Sequence, residues 1–257
     1  MNLDYSVLQN GDSALDIRFG AAPSEALSER IIALADAIEA ARLPEVRELI
    51  PAYQCLTVCY DPLRLPVAPR DTETISSLKQ RLSALIDNNL SHPARVAGER
   101  RLIRIPVCYE REFAPDMDAL CAHTGLTANE VIARHTRPHY LVHMLGFTPG
   151  FLYLGGLDAR LHTPRKGRPA LQVPAGSVGI GGSQTGIYPQ ATPGGWQIIG
   201  RTPLCLFRPG DAEPFIARPL DRIEFVPISP QAFADWNPLA TPEAGAISQS
   251  GTAEHAR

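Results

Sequence analysis

Lysine is almost missing from this chain: Lys79 and Lys166 stand against 22 arginines. That imbalance reads as a composition bias and assigns no function. No apolar run reaches the ~20 residues of a membrane span, so no membrane partner is expected. The opening MNLDYSVLQNGDS has neither a basic n-region nor an apolar h-region, so no secretory signal is read. The five cysteines (Cys55, Cys59, Cys108, Cys121, Cys205) are odd in number and include no CxxC pair. They read as small buried hydrophobes, and a reducing cytoplasm is the expected location. A net charge of −3 leaves no electrostatic footprint for nucleic acid. GxxxxGK[ST], HExxH and GxSxG are absent, which removes the P-loop, the zincin helix and the nucleophile elbow. His135, His139 and His143 recur at i+4 but cross Pro138, so no metal site is expected.

What is present suits a globular protein of two domains: 257 residues, 44% hydrophobic and 20% charged. Residues 5–9 and 14–19 flank Asn10-Gly11-Asp12-Ser13, a hairpin signal. Ser24 caps a helix bearing Leu27, Ile31, Leu34 and Ile38 on one face. Strands follow at 46–51 and 55–60. A second helix opens at Asp71 or Thr72 and carries Ile75, Leu78, Leu82, Leu85 and Ile86. Paired strands alternating with helices predict an α+β domain over 1–95, of which a ferredoxin-like arrangement is one form. The polar stretch 91–100 marks the boundary. Over 96–236 come a strand near 101–109, two short helices (the second with a Thr127/Glu130 capping box) and many short strands, among them 140–145, 204–208 and 222–227. These predict a β-barrel or sandwich. Residues 237–257 are poor in large apolar side chains and are expected to be mobile.

Residues 143–203 hold 13 of the 20 glycines and seven prolines, together with large apolar side chains that a flexible linker would lack. Pro149-Gly150 predicts a tight turn between Phe147 and Phe151, whose rings are placed to stack on a planar ligand. The glycines of 179–186 offer backbone N–H groups to an anion, although a barrel corner is the plainer reading. Arg165-Lys166-Gly167-Arg168 is a basic cluster in nearly acid-free surroundings, with Arg165 the best single anion-binding candidate. His143 shares a strand face with Leu141 and Leu145, either as a core residue or as a proton-transfer group.

LGFTPGFLYLGGL, PRKGRPALQVPAGSVGIGGSQTGIYP and TPGGWQIIGRTP resemble the signature of the family of 5-oxoprolinase B-type subunits, also known through KipI and as allophanate hydrolase subunit 1. IPVCYE, PDMDALCAHTGLTANEVIARHT and YLVHMLGF fit the same pattern, and the resemblance spans about residues 3–228. Two segments depart from it. Leu220 stands where the family has glycine, and Glu110-Arg111-Glu112 replaces a glycine-richer stretch. The resemblance implies an N-terminal ferredoxin-like domain followed by a C-terminal cyclophilin-like β-barrel. It also implies a role beside the A-type subunit of 5-oxoprolinase and a homologue of its C-type subunit, opening the small molecule 5-oxo-L-proline to L-glutamate with ATP hydrolysis. ATP, with Mg2+, is then expected at an interface with the partner subunit, and the chain alone is expected to be inactive. Phosphorylation of the stable lactam oxygen would make it a better electrophile. On this reading His143, Arg165 and Gln184 are the catalytic candidates. Phe147, Pro149, Gly150, Phe151, Ser183, Thr185, Tyr188 and Trp196 are the substrate-binding ones. The alternatives are a KipI-like inhibitor of a sensor histidine kinase, a carboxyltransferase-type subunit of a urea carboxylase or allophanate system, and, by fold analogy alone, a prolyl isomerase.

Overall fold

A computed structural model describes residues 3–65, 75–92 and 99–246, and the chain divides into two units, Met1–Gly98 and Glu99–Arg257. In the first, β1 (Tyr5–Asn10) and β2 (Ala14–Phe19) pair antiparallel around Gly11, whose φ of +65° suits the turn. The Ser24 hydroxyl accepts the Leu27 N–H and starts α1 (Glu25–Ala40). Then come β3 (Val46–Pro51), β4 (Cys55–Tyr60) and α2 (Ser76–Ser91). The strands lie in the order β1-β2-β4-β3, all antiparallel. Leu15, Ile17, Leu56 and Val58 on one sheet face join Leu27, Ile31, Leu34, Leu78, Leu82 and Ile86 of the helices in a single core. The helix start expected at Asp71 or Thr72 lies outside the described residues.

The second unit runs β5 (Arg101–Val107), α3 (Met117–Thr124), α4 (Ala128–Thr136), β6 (Tyr140–Leu145), β7 (Leu152–Gly155), β8 (Ala170–Val173), β9 (Ser177–Gly181), β10 (Gln184–Ile187), β11 (Thr192–Gly194), β12 (Gln197–Arg201), β13 (Arg222–Pro227), α5 (Pro230–Ala234) and β14 (Ala244–Ala246). The capping box at the start of α4 is formed as expected: Thr127 and Glu130 satisfy each other's backbone N–H groups.

The expected closed β-barrel is corrected. The ladders make an open sheet of eight strands, β12-β9-β10-β7-β6-β13-β5-β14, and a separate β8-β11 ribbon. The register places β12 beyond β5: the antiparallel Cys108–Arg201 bridge sets residues 197–201 opposite 108–112, so β12 meets this edge at an isolated bridge and not in a ladder. On the same edge of β5, residues 101–103 pair with β14. That edge also corrects the tail. Residues 237–246 are not loose: β14 pairs with β5, the Cys205 N–H donates to Pro238 O, and Arg104 pairs with Glu243. Residues 247–257 lie outside the described ones. The strand expected at 204–208, bracketed by Pro203 and Pro209, shrinks to one Phe207–Phe215 bridge. Among the described residues no helix is long and apolar enough to cross a membrane.

The departure at Leu220 has a structural counterpart. Its φ is +72°, at the third position of a turn closed by Asp221 N–H to Arg218 O. A glycine would adopt this conformation without strain, whereas a non-glycine residue there costs about 1–3 kcal/mol. Leu220 is nevertheless only 2% exposed. Removing a buried Leu side chain costs about 2–5 kcal/mol, so burial outweighs the strain. Leu220→Gly is therefore expected to lower stability by about 1–3 kcal/mol in urea titrations. A variant as stable as the parent would contradict this balance.

Candidate functional site

The glycines of 179–186 have a packing purpose. β9 and β10 form a two-residue hairpin, with positive φ at Gly182 (+67°) and not at Ser183, the pattern of a type II′ turn. On one side of the hairpin Val178, Ile180 and Ile187 enter the main core. On the other, the Trp196 indole lies against bare backbone. A Cβ at Gly181 would stand 2.5 Å from Trp196 Nε1, and one at Gly186 2.9 Å from its Cζ3. A Cβ at Gly179 would stand 3.2 Å from the Trp196 Cβ. Only glycine leaves room for the ring.

Trp196 joins Phe151, Tyr188, Val173 and Ile198 in a second, smaller core of this unit, with Tyr153 packed against it. Phe151 meets Tyr188 at 5.0 Å and Trp196 at 5.5 Å, edge to face. Phe147 extends the group outward. It is 62% exposed, sits edge-on to Phe151 at 5.7 Å and has φ +67°. Its strained conformation arises from a tight γ-turn, Thr148 N–H to Gly146 O, followed by the turn of Pro149 and Gly150 (φ +85°) closed by Phe151 N–H to Thr148 O.

The polar members stand on the same face. Tyr153 pairs with Gly186, and the register puts Gln184 level with Gly155. His143 occupies a bulge, with the β6–β7 register shifting between Val142 and Met144. Its ring lies so close over Gly155 that a Cβ there would collide with Nε2. The bulge corrects the expected facing. His143 stays with Leu141, which pairs with Gly155, but Leu145 turns with Leu152 towards the core. Arg165 reaches in from the loop before β8, with its guanidinium carbon 5.9 Å from the Trp196 ring centre. Burial raises the Tyr153 and Tyr188 hydroxyl pKa values, while the nearby positive Arg165 pulls them back. Among the described residues Arg165 has no carboxylate partner. At an exposed site a cation–π contact contributes only about 0.5–1 kcal/mol, so the fold depends little on this guanidinium.

The structure therefore brings His143, Gln184 and Arg165 to the face that Trp196 underlies. Trp196 itself, Phe151, Gly150 and Tyr188 are buried. Phe147, Pro149 and Ser183 lie exposed on turns, Ser183 at the hairpin tip. Thr185 does not join them. It is fully buried and donates to Gly179 O at 3.0 Å, so it must accept from His135 Nε2, also at 3.0 Å. His135 Nδ1 is then the acceptor for the Tyr109 hydroxyl at 2.8 Å. This chain stays neutral, since burial lowers the His135 pKa to about 3. The unfolded chain binds that proton first, so stability is lost as pH falls from about 6.5 towards 3. Between pH 6.5 and 5 the expected loss is about 2 kcal/mol, read from urea midpoints. A His135→Gln variant should lose most of that slope, and an unchanged slope would contradict the assignment.

The basic cluster is divided by role. Lys166 Nζ lies 2.6 Å from the Asp116 carboxylate and is not free for a ligand. Of the two arginines, Arg165 is the one that lies over Trp196, while Arg168 is exposed on the loop. Sequence reasoning passed over Tyr153 and Asp116. Alternation through Phe151, Tyr153 and Gly155 was a usable signal for the first. Nothing local signals the second, which is distant in the chain.

Comparison with known proteins places the chain in a family. The family described as carboxyltransferase domain, subdomain C and D, matches residues 5–217. A Bacillus subtilis protein, named as the B-type subunit of 5-oxoprolinase, is 44% identical over 89% of this chain and 95% of its own length. This chain belongs to the family of 5-oxoprolinase B-type subunits. The Escherichia coli O157:H7 protein of the same name is 55% identical over 50% of this chain and 59% of its own. Among solved structures TTHA0988 superposes with a TM-score of 0.70 at 35% identity. It matches 84% of this chain, which in turn spans only 40% of TTHA0988. In this member of the family, the motif run of 143–203 thus carries the turns, the glycine bed and the Arg165 loop of one aromatic face.

Proposed function

We propose that this chain acts as the B-type subunit of an ATP-dependent 5-oxoprolinase, beside a C-type subunit homologue and the A-type subunit. The observation that carries the reading is the 44% identity to a protein of that name over 95% of its length. The kinase-inhibitor and carboxyltransferase readings are less supported: the carboxyltransferase description that matches residues 5–217 names a domain family and not a relative of this identity and coverage. Within the proposal the first unit is ferredoxin-like, supported by its β1-β2-β4-β3 sheet with two helices packed in one core. The second is cyclophilin-like, with one bridge in place of full closure.

5-Oxo-L-proline is a planar lactam bearing a carboxylate, and the face suits both features. Arg165 offers a forked cation to the carboxylate, or to negative charge developing on the lactam oxygen. Trp196 and the aromatics around it border the ring. The Gln184 amide donates a hydrogen bond, and His143 moves a proton at the lactam nitrogen or orients the attacking water. Tyr153 adds a hydroxyl between them.

The face does not fit a complete ATP site. The Arg165 guanidinium stands over the indole, Lys166 is held by Asp116, and the glycines of 179–186 line a hairpin under that indole rather than a phosphate cradle. Among the described residues no group of three His, Cys, Asp or Glu could hold a metal. We therefore assign ATP and Mg2+ chiefly to the partner side of the assembly and route no step through them here. The test is 5-oxoproline-dependent ATP hydrolysis by the purified chain with and without its partners.

A further inference from the structure

We propose that Asp116 is a positioning residue for Arg165, acting through Lys166 and the segment that carries Trp196. The inference rests on reading Arg165 as the anion-binding residue of the face.

Asp116 stands at the N-cap of α3, where an Asp side chain ordinarily accepts a helix N–H, yet it makes no capping bond. Its carboxylate is turned elsewhere. Oδ2 meets Lys166 Nζ at 2.6 Å and accepts the Ile198 N–H at 2.7 Å, while the Asp116 N–H donates to Ile198 O at 3.0 Å. Two further bonds bring the same segments together. The Lys166 N–H donates to Gly195 O at 2.7 Å, and Gln197 Nε2 donates to Pro164 O at 3.1 Å. Arg165 and Trp196 are thus each flanked on both sides by residues tied across to the other segment. Among the described residues the guanidinium has the indole and the nearby tyrosines and no carboxylate, so the clamp on its neighbours sets where it lies. Asp116 and Lys166 are 17% and 22% exposed, so their attraction is less screened than at an open surface.

The division of labour has a chemical basis. A guanidinium paired directly with a carboxylate would already be neutralised and poorly available to an anionic substrate. Pairing the adjacent lysine anchors the loop and leaves the arginine charge uncompensated.

Asp116→Asn keeps an acceptor for the Ile198 N–H and removes the ion pair; Lys166→Met keeps the apolar stem and removes the ammonium. In the assembled complex either change is expected to raise the KM for 5-oxoproline about tenfold, with kcat within about twofold. In an Arg165→Ala background the same change should alter kcat/KM by less than about twofold, because the group being positioned is gone. Equal losses in both backgrounds would overturn the inference, since a purely structural role predicts additivity.

Acrylamide quenching of Trp196 in a Trp236→Phe protein gives a readout without turnover. Greater quenching in Asp116→Asn or Lys166→Met supports the clamp, and unchanged quenching in both overturns it. Should the unsubstituted complex show no turnover, the functional reading fails, and quenching still decides the clamp.

Discussion

Gly181→Ala is expected to cost about 3 kcal/mol, a fall of about 6–12 °C in melting temperature. The added Cβ would stand 2.5–2.6 Å from three atoms of the Trp196 indole. The indole cannot yield cheaply. Phe151, Tyr153 and Tyr188 meet it edge-on at 5.5, 6.1 and 6.4 Å, and the backbone of Gly186 lies against the far end of the same ring. Either the ring is expelled and its aromatic contacts are lost, or the hairpin shifts and strains the main core behind it. Both outcomes should shift tryptophan emission to the red. Gly167→Ala is the control: nothing lies within 4 Å of its Cβ position and its φ is ordinary, so it should stay within about 0.5 kcal/mol of the parent. If Gly181→Ala behaved like that control, the glycine bed would not be the reason for the glycine-rich stretch.

The second large effect falls on turnover. Arg165→Ala should lower kcat/KM of the assembled enzyme about 100-fold or more with little change in melting temperature. The residue is exposed, has no carboxylate partner among the described residues, and lies over the indole near Tyr153 and Tyr188. Its loss therefore removes a ligand contact and leaves packing intact. Arg165→Lys should recover only part of the activity, since an ammonium lacks the planar fork. Wild-type kinetics in Arg165→Ala would remove this residue from the mechanism.

The helices and hairpins were legible because their signals are local. Ser24 and the leucine and isoleucine period after it give α1, and Thr127 with Glu130 gives the start of α4. The turn at Pro149-Gly150 was legible for the same reason, since proline fixes its own φ and glycine admits the positive φ that the turn needs. What failed depended on partners distant in the chain. Closure of the barrel turned on where β12 meets the end of β5, at a Cys108–Arg201 bridge between residues distant in the chain. Thr185 looked like its neighbours Ser183 and Gln184, but strand alternation turns it inward to His135, fifty residues back. The His143 facing was half right, because a bulge, which has no local sequence mark here, reversed Leu145 alone. Glycine density marked an unusual local geometry, but a phosphate cradle and an indole bed ask for the same residue. Only the position of Trp196 separates them.

The most direct test of the functional account is 5-oxoproline-dependent release of ADP by the purified chain, first alone and then co-assembled with the A-type and C-type subunits. Turnover is expected only with the partners present, at a rate that depends on both ATP and 5-oxoproline. Robust turnover by the chain alone would contradict the shared site, and no turnover in the complete assembly would contradict the assigned function.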